Sequence, residues 1–229
     1  MRRRRRGGDR RLLSLQGVTV NARQRMNGID LLAALPDKIA TLVFLDPQYR
    51  TILDELKFGN EGARQKGRAA LPSMSDSDIT YFVSEAARIL HPSGHLALWM
   101  DKFSLVEGIF RRWIRHAPSL SVVDMIVWDK LRIGMGRRSR CQTEYLVIAQ
   151  KAPVIAAGAW SDRGIPDAWG EHHDREVHPH CKPFRLTDRI IRSVTERDDL
   201  IVDPCAGGYG VLEACQRSGR IFLGCDLNG

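Results

Sequence analysis

The segment "LIVDPCAGGYGVLEACQRSGRIFLGCDLNG" (residues 200–229) decides the fold class of this chain. Its apolar start predicts a strand that ends at Asp203, and the glycines that follow predict a turn into a helix. A second strand then ends at Asp226. In α/β sheets, such a unit with an acidic residue about 20 positions after the glycines holds an adenosine through its ribose hydroxyls. Glu213 stands where the G-x-G-x-x-G spacing requires its last glycine, so we expect an adenosine without a pyrophosphate.

The rest of the chain alternates between strand-like and helix-like segments. The apolar pattern predicts strands at 15–21, 40–45, 94–100, 121–128, 144–150, 200–203 and 220–226. It predicts helices at 28–35, 75–90, 104–117, 182–195 and 210–219. This alternation indicates an α/β fold, namely a single open, mostly parallel seven-stranded sheet with helices on both faces.

Two long segments interrupt the alternation. Residues 50–74 are polar and punctuated by glycine, and residues 151–181 contain the irregular stretch "AGAWSDRGIPDAWGEHHDREVHPHC". Irregular segments of this length inside a domain are usually functional or mobile. We therefore predict one domain over 12–229, in which these two segments contact the substrate or are mobile.

The charge of the chain is concentrated at its start. The net charge is +8, and residues 1–11 carry seven arginines against one aspartate, which gives +6 and leaves +2 for the remainder. We expect this leader to be disordered, and either to bind an acidic polymer such as nucleic acid or to act as a solubilising leader. No apolar run approaches the roughly 18 residues of a membrane span. No secretory signal is visible, so a cytoplasmic location is expected.

The cysteines and histidines do not indicate a disulfide framework or a metal site. Five cysteines occur without a C-x-x-C spacing, which predicts reduced thiols. The stretch "EHHDREVHPHC" (171–181) offers several potential ligands, but its spacing fits no standard zinc pattern. We therefore expect no metal, although a metal site in this stretch is the alternative.

Three blocks of the sequence resemble a known family. "HPHCKPFRLTDRIIRSVTERDDLIVDPCAGGYG" (178–210) resembles the H-P-x-x-K-P … D-P-F-A-G-S-G block of the S-adenosylmethionine-dependent amino-methyltransferases of DNA. "GIDLLAALPDKIATLVFLDPQY" (28–49) resembles their G-D-x-L-x-x-L-P-D … D-P-P-Y block. The order of the two blocks is similar to that of the β class, a circular permutation of the methyltransferase sheet. "WDKLRIGMGRRSRCQTEYLVIAQK" (128–151) is similar to a stretch of the adenine-specific members.

The resemblance implies a catalytic role for the stretch "DPQYR" (46–50) after the apolar run "TLVFL". An exocyclic base amine is a poor nucleophile because its lone pair is delocalised into the ring. The Asp46 carboxylate and the Pro47 carbonyl would accept hydrogen bonds from that amine and favour the charge that develops in the transition state. The base must be flipped out of the duplex, and Tyr49 would stack on it. Adenine is favoured because relatives that act on cytosine commonly begin this motif with Ser.

The resemblance also implies a set of cofactor-binding residues. Asp203, Cys205 and Gly207 would form the glycine-rich wall, and Asp226 would bind the ribose. Lys182 and Pro183 would line the methionine end. Asn27 occupies the position of an Asp near the adenine ring in relatives, although a simple helix cap is an equally good interpretation. The full predicted set is Asn27, Asp46, Lys182, Pro183, Asp203, Cys205, Gly207 and Asp226.

The chain departs from the family pattern at two positions. Gln48 replaces the second proline of D-P-P-Y, which leaves every group used in the mechanism. Tyr209 stands where the second glycine of the family falls, so its side chain must turn outward, or the turn must be drawn with Gly208 and Gly210.

A basic, glycine-containing loop is the predicted DNA contact. Its members, expected to meet phosphates or a guanine edge, are Lys130, Arg132, Arg137, Arg138 and Arg140. A solvated basic loop is the alternative. We expect double-stranded DNA as the partner, a homodimer and an association with the nucleoid. Other functions left open are methylation of cytosine at N4, methylation of RNA, and a non-catalytic DNA-binding protein on the same fold.

Overall fold

A computed structural model describes residues 17–48, 74–134, 138–172 and 181–229. These residues form one seven-stranded sheet with the strand order β5-β3-β4-β2-β1-β6-β7. The strands are β1 (Ala40–Leu45), β2 (Leu90–Met100), β3 (Leu120–Asp129), β4 (Thr143–Lys151), β5 (Ala168–Gly170), β6 (Leu200–Asp203) and β7 (Ile221–Gly224). Each pair of neighbouring strands is parallel except the two pairs that include β4. The predicted α/β fold with a mostly parallel sheet is therefore confirmed.

Helices cover both faces of the sheet. They are α1 (Gly28–Ala34), α2 (Asp76–Ile89), α3 (Lys102–Val106), α4 (Ile109–Ile114), α5 (Phe184–Val194) and α6 (Gly210–Ser218). Along β1, Val43 and Leu45 join the apolar cluster that includes α1, α2 and α4. Leu42 and Phe44 join the cluster that includes α5 and α6. Because successive side chains of a strand point to opposite faces, the continuous apolar run of β1 supplies both layers.

Two local signals decide where the helices begin. Asn27 caps α1, since its side chain accepts a hydrogen bond from the Ile29 N–H. Ser75 and Asp78 form a capping box at the start of α2. The predicted helix at 104–117 is instead two helices, α3 and α4, because Gly108 between them adopts a left-handed conformation with φ 68°.

The strand predicted at 15–21 is wrong, and the seventh strand of the sheet is one that was not predicted. Residues 17–21 of the predicted strand 15–21 are not in a strand, and Gly17 and Asn21 both have positive φ. The seventh strand is β5, which lies in the predicted irregular segment 151–181 and pairs with β3 over three residues. A strand of three residues is too short to show an alternating pattern in the sequence. The other predicted irregular segment, 50–74, falls almost entirely outside the described residues.

Within the described part of the chain, no helix is both long and apolar enough to cross a membrane.

Candidate active site

Three carboxylates lie at the carboxyl ends of three neighbouring parallel strands. Asp46 follows β1, Asp203 is the last residue of β6, and Asp226 follows β7. Because β1, β6 and β7 are adjacent and parallel, their ends meet at one edge of the sheet. This is the edge where open α/β sheets bind ligands. The structure therefore brings together residues that are up to 180 positions apart in the sequence.

Glu144 reaches the same edge from the opposite chain direction. It is the second residue of β4, which runs antiparallel to β2 and β3, and it pairs with Trp128 near the end of β3. The beginning of an antiparallel strand lies beside the ends of its neighbours. Sequence reasoning missed this residue, and its only signal was an acidic residue at the start of a buried strand.

Lysine 182 joins two of these carboxylates. Its Nζ atom lies 3.0 Å from Asp46 Oδ1 and 2.8 Å from Glu144 Oε2. The other oxygen of Glu144 pairs with the ammonium group of Lys130. The four side chains thus alternate in charge along one chain of contacts, from Asp46 through Lys182 and Glu144 to Lys130.

Two tryptophans form an apolar floor beneath the two lysines. Lys182 lies 5.2 Å from the ring centroid of Trp99, and Lys130 lies 5.3 Å from that of Trp128. The two indole rings pack edge to face at 5.8 Å. A cation over an aromatic face is attracted by the ring quadrupole, so these rings help to fix both ammonium groups.

Burial and the neighbouring charges shift the pKa values of Asp46, Lys182 and Glu144. Burial would raise the pKa of Glu144, but Lys182 and Lys130 outweigh it and bring the pKa to about 2. Burial would lower the pKa of Lys182, but Asp46 and Glu144 raise it above its ordinary value. Burial raises the pKa of Asp46, which Lys182 opposes and Glu144 reinforces. The Asp46 side chain nevertheless keeps 36% of its surface exposed, so a substrate can reach it.

Asp203 is the most deeply placed carboxylate of the edge. It is 5% exposed, and its Oδ1 accepts a hydrogen bond from the Cys205 N–H at 3.2 Å. Burial raises the pKa of Asp203 to about 7, and the charges of Asp46 and Asp226 act in the same direction. Such a carboxylate, beside two others, favours a ligand that carries positive charge.

Tyr209 does not turn outward, which corrects one sequence-based expectation. It adopts a left-handed conformation with φ 59° just before α6, and its side chain is 2% exposed. The hydroxyl donates to the Gln24 carbonyl at 2.9 Å and accepts from the Gln24 N–H at 3.2 Å. The ring packs edge to face against Phe222, and the Arg23 guanidinium lies 5.1 Å above it. Tyr209 therefore ties the segment before α1 to the glycine-rich turn.

The glycine-rich turn leaves open space at its surface. Gly207 has φ 47°, and a Cβ added at Gly207 or Gly210 would meet no atom within 4 Å. A ligand can therefore approach the backbone of this turn closely. Gly28 is the opposite case, because a Cβ there would lie 2.4 Å from the Pro204 carbonyl oxygen. Gly28 thus allows the start of α1 to pack directly against the turn.

The remaining predicted cofactor residues lie just before α1, just after β7 and at the start of α5. Asn27 uses its side-chain oxygen to cap α1, and it also lines an open depression with Arg25, Met26, Leu227 and Asn228. Asp226, between Cys225 and this depression, is held by backbone hydrogen bonds to the segment 24–26. Pro183 is buried at the N-terminus of α5, next to Lys182.

The predicted DNA-binding loop is divided by the structure. Arg132, Arg138 and Arg140 are exposed, and the Arg140 Nε donates to the Gly134 carbonyl at 2.6 Å. Lys130 differs from them because it is paired with Glu144. Arg137 lies outside the described residues, as does Tyr49 of the predicted catalytic stretch.

Glu171 is a second residue that sequence reasoning missed. Its carboxylate accepts hydrogen bonds from the Arg185 and Leu186 N–H groups at the start of α5 and from the Trp169 indole. It therefore fixes β5 against the helix that follows Lys182. The predicted alternative of a metal site falls mostly outside the described residues, which include no group of three or more His, Cys, Asp or Glu side chains suited to a metal.

The fold and the carboxylate-lined edge define a methyltransferase-type α/β protein. Residues 40–229 match the DNA methylase family named for N6 and N4 methyltransferases. The chain is 50% identical over 209 residues to the Type II methyltransferase M.HhaII of Haemophilus parahaemolyticus, with 91% of each chain covered. The chain therefore belongs to the DNA methylase family, and the sequence-based prediction of an amino-methyltransferase is confirmed at that level.

Solved structures share this fold at low sequence identity. The PvuII DNA methyltransferase (cytosine-N4-specific) has a TM-score of 0.67 at 15% identity, over 90% of this chain and 81% of that one. The complex of M1.HpyAVI with S-adenosylmethionine has a TM-score of 0.61 at 16% identity, over 89% of this chain and 92% of that one. The predicted cofactor is thus the one held by a relative of the same fold.

Proposed function

We propose that this protein transfers a methyl group from S-adenosylmethionine to the exocyclic N6 amine of an adenine in DNA. The observation that carries the proposal is the meeting of Asp46, Asp203 and Asp226 at the ends of three adjacent parallel strands. Asp46 is partly exposed, and it is the first residue of the D-P-x-Y-like motif. The family and the 50% identical Type II methyltransferase support DNA as the substrate.

The residues of the sheet edge fit S-adenosylmethionine. Burial, together with the charges of Asp46 and Asp226, raises the pKa of Asp203 to about 7, so added positive charge would favour the ionised carboxylate. A ligand with a sulfonium and an ammonium group supplies that charge. Asp203, Cys205 and Gly207 would form the glycine-rich wall beside it, and Asp226 would accept hydrogen bonds from its ribose hydroxyls. Lys182 and Pro183 would line its methionine end. The depression lined by Met26, Asn27 and Leu227 lies beside Asp226, and it would receive the adenine ring.

Asp46 is the proposed catalytic residue. When bound, S-adenosylmethionine supplies a methyl group on a positively charged sulfur, which makes that methyl group electrophilic. The Asp46 carboxylate would accept a hydrogen bond from the exocyclic amine and orient its lone pair towards this methyl group. Positive charge develops on the nitrogen as it attacks, and a carboxylate at hydrogen-bond distance stabilises that charge more than the neutral ground state. The raised pKa of Asp46 also suits it to hold the proton that the amine then loses.

The neighbouring residues of the motif complete the proposed site. The Pro47 carbonyl would accept the second hydrogen bond of the amine, and Tyr49 would stack on the flipped base. The exposed Arg132, Arg138 and Arg140 would contact DNA phosphates around that base.

The test is methyl transfer from labelled S-adenosylmethionine to unmethylated genomic DNA, followed by digestion and identification of the nucleoside. We expect N6-methyladenine from the wild type and none from Asp46→Asn, which keeps the shape of the side chain but loses its charge. Asp162→Asn is the matched control, because the Asp162 side chain is 33% exposed and pairs with Arg189 away from the edge. N4-methylcytosine would retain the mechanism and overturn the base assignment. No labelled nucleoside from the wild type would overturn the proposed function.

A further inference from the structure

Glu144 lies inside the chain of contacts that runs from Asp46 to Lys130, where its partners are the two lysines. Its two carboxylate oxygens are both engaged, one by Lys182 at 2.8 Å and the other by Lys130. Its side chain is 26% exposed, less than that of Asp46. Glu144 therefore influences Asp46 through the lysine that they share.

The ammonium group of Lys182 contacts two carboxylates that come from different parts of the fold. Asp46 follows β1 in the middle of the sheet, whereas Glu144 begins β4 two strands away. An ammonium group has three donors on a flexible stem, so it moves towards whichever carboxylate attracts it more. The contact with Glu144, 2.8 Å, is shorter than the contact with Asp46, 3.0 Å.

The competition matters because Asp46 must bind an amine. A carboxylate oxygen that is fully occupied by an ammonium group is a weaker acceptor for a neutral NH₂ group. If Glu144 lost its charge, Lys182 would have Asp46 as its only carboxylate partner in this chain of contacts. The incoming amine would then have to displace a stronger and better-aligned donor.

We propose that Glu144 is a positioning residue for methyl transfer, which holds Lys182 back so that the Asp46 carboxylate stays available to the target amine. This inference rests on the function proposed above for Asp46. Lys130 supports it from the other side, because it neutralises the second oxygen of Glu144 and stands on the same tryptophan floor.

The charges that face Asp46 give the inference a distinctive pH signature. They come from Lys182 ahead of α5, Glu144 on β4, Lys130 after β3 and Asp203 on β6. Of these, Glu144 raises the pKa of Asp46, whereas Lys182 and Lys130 lower it. Removing the charge of Glu144 should therefore move the acid limb of the rate profile to lower pH, even though the rate itself falls. Removing the charge of Lys182 should move that limb to higher pH.

The first experiment measures single-turnover methyl transfer against pH for the wild type, Glu144→Gln and Lys182→Met. For Glu144→Gln we expect the rate constant to fall by up to roughly tenfold, which corresponds to an increase of up to about 1.4 kcal/mol in the activation barrier. We expect its affinity for S-adenosylmethionine, measured by calorimetry, to stay within about twofold of the wild type, a difference of only about 0.4 kcal/mol. Glu144→Asp, which keeps the charge, should recover part of the rate and the wild-type acid limb.

A matched control separates this role from a loss of stability. Glu85→Gln removes another partly buried glutamate, which pairs with Arg88 of the same helix, α2. We expect Glu85→Gln to lower the melting temperature without any change in the acid limb. If Glu144→Gln does not fold, Glu144→Ala, which also removes the carboxylate, takes its place and should show the same shift of the acid limb to lower pH.

A second measurement does not depend on activity. The carboxyl carbon of Asp46, assigned with Asp46→Asn, is titrated by NMR in the ligand-free wild type and in Glu144→Gln. We expect its pKa to be lower in Glu144→Gln. An unchanged Asp46 titration, or an active Glu144→Gln with the wild-type rate and acid limb, would overturn this inference alone. A wild type that does not methylate DNA would overturn the proposed function, and the inference with it.

Discussion

Replacing Tyr209 by phenylalanine tests whether the tyrosine, at a position where the family has glycine, holds the cofactor wall together. The substitution removes only the hydroxyl, which donates to the Gln24 carbonyl and accepts from the Gln24 N–H. Each such hydrogen bond contributes about 0.5–1.5 kcal/mol to folding. The loss should therefore be about 1–3 kcal/mol. In a chain of this size each kcal/mol lowers the melting temperature by about 2–4 °C, so we expect a decrease of about 4–8 °C for a loss near 2 kcal/mol.

The same substitution should weaken cofactor binding. Gln24 precedes Arg25, Met26 and Asn27, which line the depression beside Asp226. Releasing Gln24 lets this segment move, and a penalty of about 0.7–1.4 kcal/mol corresponds to a roughly threefold to tenfold higher Kd for S-adenosylmethionine. Thermal unfolding and titration calorimetry measure the two effects. The turnover of cofactor-saturated enzyme should change much less than the Kd.

Tyr209→Gly, the change towards the family motif, sharpens the test. Relief of the left-handed backbone should return about 1–2 kcal/mol. Loss of a buried aromatic ring costs about 3–5 kcal/mol. The glycine variant also loses both hydrogen bonds of the hydroxyl, so it should be less stable than the wild type and less stable than Tyr209→Phe. A glycine variant at least as stable as the wild type, or a Tyr209→Phe variant with unchanged melting temperature and Kd, would refute this account of Tyr209.

Three further predictions concern buried groups near the site and in the sheet. Asp203→Asn should stabilise the ligand-free protein at pH 8 but not at pH 4. The folded pKa of Asp203, about 7, exceeds its unfolded value of 3.8, so the wild type loses stability as the pH rises between these two values. Calorimetry should also show that Asp203→Asn binds S-adenosylmethionine more weakly. Gly28→Ala should lower the melting temperature and the cofactor affinity together, because its Cβ would lie 2.4 Å from the Pro204 carbonyl oxygen. Burial lowers the pKa of His95 to about 4, so stability towards urea should fall from pH 6.5 to pH 4, by at most about 3 kcal/mol, and His95→Met should remove that part of the slope.

Each of the three has a clear contrary result. Equal stability of Asp203→Asn and the wild type at pH 8 would contradict the raised pKa. A Gly28→Ala variant with wild-type melting temperature would show that α1 can move away from the turn at no cost. The same dependence of stability on pH in His95→Met and the wild type would assign the slope to other groups.

The strands were predicted correctly where a few consecutive residues show the pattern of a strand, and incorrectly where strand formation depends on a neighbouring strand. The apolar runs of β1 and β6 and the glycine turn before α6 are visible over a few residues, and the strands and helix were predicted there. The short strand β5 forms because β3 provides hydrogen-bonding partners for its backbone. A sequence pattern of three residues is too short to predict such a strand. Residues 17–21 have an alternating pattern but positive φ at Gly17 and Asn21, and they run beside β7 without becoming a strand.

The candidate site shows the same division between local and distant information. Asp46, Asp203 and Asp226 each end or follow a recognisable strand, so the sequence by itself placed them at the carboxyl ends of strands, where open α/β sheets bind ligands. That the three carboxylates meet depends on β1, β6 and β7 being neighbours in the sheet. The tertiary structure alone decided that Glu144 would share Lys182 with Asp46, because β4 runs antiparallel and brings its beginning to that edge. It also decided that Tyr209 would point inward to Gln24, 185 positions away. Sequence patterns report which residues start and end an element, whereas contacts between distant side chains depend on strand order and direction, which the folded chain sets as a whole.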